Sequence, residues 1–346
     1  SRDMGGFYNA DPRPTRVLRP SGRVSRGATY CRQPLTRGTL GRMRVAAVQA
    51  TPAFLDREQT IAIVEDRIAE ASSGGADLVV FPEVFVPGYP VWMDRTNSAA
   101  WEDPDQQAAY AWYLDQSVDV HGPEFEMVVD AVRQAGLFAY VGVVERSNSL
   151  GSVYCSLVAI DPVEGIVGVH RKLKPTYTER LVWADGDGAG LVAHDHAGVR
   201  LTGLNCWENW MPLARAAMYA TGSQVHVAAW PGSVGLTEDI TRFIAKEGRL
   251  FVVSVGAVYR SEDVPDDFPL RGILPEGERY HNGGTCIAGP DGAWIVEPVR
   301  NTEGIVWADL DIGEVARQRQ NFDPAGHYSR PDVLHLEVDR SRTTAP

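Results

Sequence analysis

From Met43 onward the chain alternates short, largely apolar runs with segments whose apolar residues recur at helical spacing, and few architectures satisfy that rhythm. Residues 43–49 read as a buried strand. Ile61, Val64, Ile68 and Ala71 mark one face of a helix that Gly74 and Gly75 close. Further apolar runs at 78–81, 138–144, 152–160, 166–170, 201–205, 224–229 and 251–258 predict strands, with helices at 128–135, 212–220 and near 239–246. The last third turns antiparallel. Residues 284–288 and 294–296 flank the turn Gly289-Pro-Asp-Gly292 and predict a hairpin, and 304–310 a further strand. Strands of both connection types, interleaved with helices, predict a layered α/β sandwich. There is no internal repeat and no linker, so residues 43–338 are expected to form one domain and 339–346 a tail. Residues 261–280, rich in Pro, Gly and acid, are expected to be a surface insertion.

Residues 1–42 break the pattern. They hold nine Arg and two Asp but no Lys or Glu, a net charge of +7 against −19 for the rest. With no sustained apolar period, they are expected to be a disordered extension, with Met43 opening the functional part. The chain as a whole carries a net charge of −12, which disfavours nucleic acid and anionic membrane as partners. The four cysteines, Cys31, Cys155, Cys206 and Cys286, are widely spaced and form no CxxC. That spacing argues against a disulfide framework or zinc ribbon and for a reducing, cytoplasmic setting. No apolar run approaches the roughly 18 residues of a membrane span.

Three strand ends carry chemistry. The strand 201–205 runs into Cys206-Trp-Glu-Asn-Trp-Met-Pro212, with a helix six residues on. A cysteine beside turn N–H groups and a helix start is placed to have its thiolate stabilised and to act as a nucleophile. A cysteine is also a common core residue, but Asn205, Glu208 and Asn209 make this context polar. None of the eight histidines forms a local signature with Cys206, so the base falls to a carboxylate. Glu83, in Phe-Pro-Glu83-Val-Phe-Val-Pro-Gly-Tyr-Pro, is one candidate; taken alone, such a residue more often points to solvent. The third strand end is His170-Arg-Lys172-Leu-Lys174-Pro175. The chain holds 30 Arg but only three Lys, at 172, 174 and 246. A compact ammonium retained among so many guanidinium groups suggests a site where Arg cannot substitute. Glu179 is placed to partner it. Open α/β sheets build their sites at strand C-termini, so the combination says more than any member.

These segments resemble the nitrilase superfamily of carbon–nitrogen hydrolases. The Glu–Lys–Cys order carries the resemblance over residues 43–338. Three stretches are similar to its nitrilase branch: the Phe-Pro-Glu83 segment, His-Arg-Lys172-Leu-Lys-Pro-Thr-Tyr-Thr-Glu179-Arg, and Asn-Cys206-Trp-Glu-Asn-Trp-Met-Pro-Leu-Ala-Arg215. Gly326-His-Tyr-Ser-Arg-Pro-Asp332 also looks similar. The resemblance implies a four-layer α-β-β-α sandwich, no metal or organic cofactor, and homo-oligomers that start from sheet-to-sheet dimers and often grow into spirals. It implies that Glu83 is the general base, Lys172 the cationic stabiliser, Cys206 the nucleophile and Glu179 a second carboxylate. The activity implied is hydrolysis of a small-molecule nitrile by water to a carboxylic acid and ammonia. An amidase or cyanide-hydrating member would use the same residues. Tyr89 and Trp207, adjacent to these segments, are expected to line an apolar substrate pocket.

Other signals are weaker. His194-Asp-His196 has metal-ligand spacing but no clear third ligand, and is expected to be a turn. Gly186-Asp-Gly188-Ala-Gly190 mimics a phosphate loop without the flanking strand and helix, and is expected to be a surface turn.

Overall fold

A computed structural model describes residues 41–343. The extension expected at 1–42 lies outside the described residues except for its last two, and of the 339–346 tail only 339–343 are described. In chain order the strands are β1 (Arg42–Gln49), β2 (Leu78–Val80), β3 (Phe138–Arg146), β4 (Val153–Asp161), β5 (Gly165–Arg171), β6 (His194–His196), β7 (Val199–Asn205), β8 (Val225–Trp230), β9 (Phe251–Gly256), β10 (Val258–Arg260), β11 (Arg279–Ala288), β12 (Trp294–Arg300) and β13 (Gly304–Asp311). The helices are α1 (Arg57–Ser73), α2 (Pro104–Asp115), α3 (Pro123–Ala135), α4 (Pro212–Ala220), α5 (Val234–Gly248) and α6 (Gly313–Arg319).

Two sheets form. One runs β13-β1-β2-β3-β4-β5; the other runs β10-β11-β9-β8-β7-β6, with β12 also paired to β11. The alternation of side chains along each strand explains the layering. In β1, Val45 and Ala47 face the inter-sheet core with Leu78, Tyr140, Leu201, Val227 and Val253. Ala46 and Val48 point the other way, onto Ile61, Val64 and Ile68 of α1 and Val128 and Val132 of α3. On the far sheet, Ala228 and Val252 meet Tyr219 of α4 and Ile240 and Ile244 of α5. The result is a four-layer α-β-β-α sandwich whose central strands, such as β2, β3, β8 and β9, are buried on both faces.

Most strand and helix positions read from the sequence are present, with three differences. The 251–258 run is two strands, separated at Ala257, whose N–H donates to Pro231 O and whose carbonyl accepts from the Gly283 N–H. The 261–280 stretch is not a surface insertion: Val264, Phe268, Leu270 and Leu274 are buried with Phe54, Trp92 and Tyr259. His194-Asp-His196 is a short edge strand paired to β7 rather than a turn, and His196 faces Asp161 at 3.6 Å. The tail crosses the body beside β5. Arg340 donates to Leu191 O, and Arg342 and the Thr343 N–H reach the Asp187 carboxylate.

Candidate active site

Glu83, Lys172 and Cys206 each stand just past a strand. After β2, the Glu83 N–H is held by the carbonyl of Trp230, the last residue of β8, at 3.2 Å. Lys172 follows β5 directly, and its N–H donates to Cys155 O on β4 at 2.8 Å. Glu179 lies in a 3₁₀ turn, Tyr177–Leu181. Cys206 follows β7 and opens another, Cys206–Trp210. The four side chains converge in the interior, none more than 3% exposed.

The Lys172 ammonium sits between two carboxylates, 2.8 Å from Glu83 Oε1 and 2.6 Å from Glu179 Oε2. Carboxylate oxygens of Glu83 and Glu179 and the Cys206 sulfur lie within 4.8 Å of one another. A metal could be held at such spacing, but the ammonium already supplies the cation between the acids. Glu179 is fixed further by the Thr176 N–H at 2.6 Å and the Tyr89 hydroxyl at 3.0 Å.

Burial sets the protonation states, modified by these neighbours. It raises Glu83, against the pull of Lys172, to about 7. Burial would also discharge Lys172, but the facing acidic groups, the carboxylates of Glu83 and Glu179 among them, outweigh it and hold the ammonium well above its ordinary range. The sequence favours a stabilised Cys206 thiolate, and the structure reverses that expectation. Burial first, then the charges of Glu83 and Glu179, push the thiol well above its usual value, and Lys172 and the Trp207 N–H oppose this without prevailing. The Cys206 thiol is therefore held in its protonated form, beside a carboxyl group, Glu83, that titrates at about 7.

The turns that deliver these groups are strained. Val84, Tyr177 and Cys206, one beside or at each of Glu83, Glu179 and the nucleophile, adopt φ of 41°, 46° and 47°. Non-glycine residues there cost on the order of 1–3 kcal/mol each and persist only where the surroundings over-determine them. At Cys206 the restraint is visible. The Asn209 amide donates to Leu204 O and Cys206 O, and its Oδ1 accepts from His226 Nε2 at 2.9 Å. His226 Nδ1 in turn meets Thr202 Oγ1. Burial lowers His226 to about 3, so it remains a neutral strut. Glu208 ties this elbow to the lysine strand by accepting from the N–H groups of Asn205 and Leu173 and pairing with His170. Burial would raise Glu208, but His170 and those N–H donors outweigh it and keep the carboxyl below its ordinary value.

Of the two expected pocket residues, Tyr89 is inside, edge-on to Trp183 and His281 at 5.7 and 5.3 Å between ring centroids. The Trp207 ring is 46% exposed and stacks on Trp210, so what this residue brings to the sulfur is its backbone N–H. Sequence reasoning missed Cys155, whose sulfur lies 3.3 Å from Glu83 Oε1, and Trp183, whose ring is 5.4 Å from the Lys172 ammonium. It also missed the Asn209–His226 strut. The one available signal was the hairpin turn at 161–165, which brings the strand bearing Cys155 alongside the strand that leads to Lys172.

Comparison with known proteins matches residues 44–320 to the family model described as carbon-nitrogen hydrolase. "Nitrilase 2" from an unknown prokaryotic organism is 38% identical over 306 residues, covering 88% of this chain and 95% of that protein. An "aliphatic nitrilase" of Rhodococcus rhodochrous is 36% identical over 323 residues, covering 88% and 81%. Among solved structures, a carbon-nitrogen hydrolase from Helicobacter pylori G27 superposes with a TM-score of 0.67 at 17% identity, covering 85% of this chain and 97% of that one. That last likeness is one of fold.

Proposed function

The chain belongs to the carbon–nitrogen hydrolase family, in its nitrilase branch, and from that premise we propose how its site works and on what substrate. It hydrolyses an organic nitrile to the carboxylic acid and ammonia. The observation that carries the mechanism is the buried Cys206 sulfur within 4.8 Å of carboxylate oxygens of Glu83 and Glu179, with the Lys172 ammonium hydrogen-bonded to both acids.

Glu83 takes the thiol proton as the sulfur lone pair attacks the nitrile carbon. The C–S bond forms, one C–N π pair moves to nitrogen, and that nitrogen takes a proton, giving a covalent thioimidate. Lys172 and the Trp207 N–H stabilise the charge that develops on nitrogen. Water, deprotonated by Glu83, adds to the same carbon. The C–N bond then breaks, protonated nitrogen leaves as ammonia, and a thioester remains. A second water releases the acid and restores the thiol. Glu179 holds Lys172 from the side opposite Glu83, Tyr89 forms part of the substrate wall, and Trp207 flanks the entrance. If the tetrahedral intermediate expels sulfur rather than ammonia, the product is the amide, so one site can yield both.

We also propose a homo-oligomer, built from dimers, and a cytoplasmic setting. Exposed Trp210, Met211, Leu213 and Phe243 around α4 and α5 offer an apolar face for a second copy. The three described cysteines are unpaired, as a thiol enzyme in a reducing compartment requires. No helix among the described residues is long and apolar enough to cross a membrane. The test of the activity is a panel of aliphatic, aromatic and arylacetic nitriles beside the matching amides, with ammonia, acid and amide all quantified. Acid and ammonia in equal amounts from a nitrile support the reading. Turnover of amides alone would replace it with an amidase.

A further inference from the structure

The two oxygens of Glu83 are not equivalent. Oε1 receives the Lys172 ammonium at 2.8 Å and the Cys155 sulfur at 3.3 Å. Oε2 is buried with no hydrogen-bond partner. We propose that the Cys155 thiol is a positioning residue for this reaction: with Lys172 it fixes Glu83 Oε1, leaving Oε2 as the oxygen that exchanges protons with Cys206 and with water. The proposal rests on the reading of Glu83 as base and Cys206 as nucleophile.

A carboxylate turns easily about its last bond, because that torsion has broad wells. A single donor on one oxygen leaves the plane of the group undefined. Two donors arriving from different strands, one at the end of β5 and one on β4, define it. The same residue restrains the lysine, since Cys155 O accepts the Lys172 N–H at 2.8 Å. Cys155 is suited to donate rather than to react. It is 1% exposed, and burial and the neighbouring Glu83 charge hold its thiol well above the ordinary value, so the proton stays on sulfur. Two cysteines thus flank one carboxylate, one giving it a fixed hydrogen bond and the other a mobile proton.

Ser at 155 keeps a donor and Ala removes it, so Cys155→Ser and Cys155→Ala differ by the hydroxyl alone. The shape-matched pair Cys155→Thr and Cys155→Val repeats the comparison with the space filled and serves if Ala does not fold. For each variant, kcat and KM on one nitrile are measured across pH, with circular dichroism to confirm folding. The groups facing Glu83 are Lys172, Glu179, Cys155, Cys206, Tyr89 and Tyr113. Only the one at 155 changes.

Loss of a hydrogen bond to a charged group predicts a kcat lower by about tenfold to a hundredfold in Ala and Val with KM nearly unchanged. The acid limb of the kcat/KM profile should move to higher pH, because this donor favours the ionised carboxylate. Ser and Thr should recover most of both losses. Equal rates and identical acid limbs within each pair would overturn the proposal, whether the common rate is normal or depressed. Cys206→Ala in the same assay separates the two layers: if it stays active, the underlying reading fails whatever Cys155 does.

Discussion

Replacing Lys172 by Arg keeps the charge and should still cripple the enzyme. The ammonium is fully buried, 2.8 and 2.6 Å from two carboxylates, with the Trp183 ring 5.4 Å away. A guanidinium is a wide planar fork whose nitrogens point apart from their shared carbon, so it cannot replace the compact ammonium at both distances without displacing an acid or the indole. Overpacking of this kind costs about 1–3 kcal/mol of stability. The effect on rate should be larger in proportion, since displacing a preorganised stabiliser costs roughly 10²–10³ in kcat, or about 2.7–4 kcal/mol. Lys172→Met instead strands two buried carboxylates, and breaking such a pair costs about 3–5 kcal/mol. That deficit should shrink as the pH is lowered, because protonation discharges the stranded acids. Lys174 is the control. It pairs with Asp185 at 2.7 Å with both side chains more than half exposed, and Lys174→Arg should be mild. The assay is kcat on one nitrile, with thermal melts at acid and neutral pH. A folded Lys172→Arg enzyme within about threefold of wild type, or an inactive Lys174→Arg, would show that the shape of the cation is not what the site selects.

Two further outcomes follow from the geometry. Because Glu83 must be ionised to act as base and is raised to about 7, kcat/KM should fall as the pH drops through that value, by about tenfold per unit below it; a flat profile between about pH 5 and 8 would remove Glu83 from the role. Gly142→Ala should depress both kcat and melting temperature, because a Cβ there would overlap Pro82 O and come within 2.6 Å of Val84 N and 2.9 Å of Glu83 Cα. Gly151→Ala, with nothing within 4 Å, should be neutral, and equal behaviour of the two variants would contradict the tight seat described for Glu83.

What was legible in the sequence depended on the kind of information each feature needs. The sandwich could be read because its central strands are buried on both faces and so appear as apolar runs, as in 45–48 and 138–144. Helix α2 was not read, since only Ala109 and Tyr113 of its residues are buried and no stripe marks it. The 261–280 stretch misled because four apolar residues among many polar ones, Val264, Phe268, Leu270 and Leu274, suffice to anchor it. Glu83 and Cys206 stood out as reactive groups just after apolar runs at strand ends, and Lys172 as one of only three lysines in the chain, at a third strand end. Glu83 alone reads as solvated, and only its pairing with Lys172 makes its 1% exposure intelligible. Cys155 was hidden by register. Counting back from the turn, Asp161 pairs with Gly165 and Ile160 with Ile166, which would set Tyr154 opposite Lys172. A bulge between Ala159 and Ile160 shifts the ladder by one residue and brings Cys155 there instead. The left-handed φ at Val84, Tyr177 and Cys206 has no compositional signature, because none of the three is a residue that favours that conformation.

Trapping the covalent intermediate decides whether Cys206 carries the substrate. The enzyme is mixed with a slow nitrile, quenched in acid during turnover, digested and weighed by mass spectrometry. An added acyl or imidoyl mass is expected on the peptide containing Cys206, absent from Cys206→Ala, which should fold and be inactive. An adduct on Cys155 or Cys286, or steady turnover by Cys206→Ala, would contradict it.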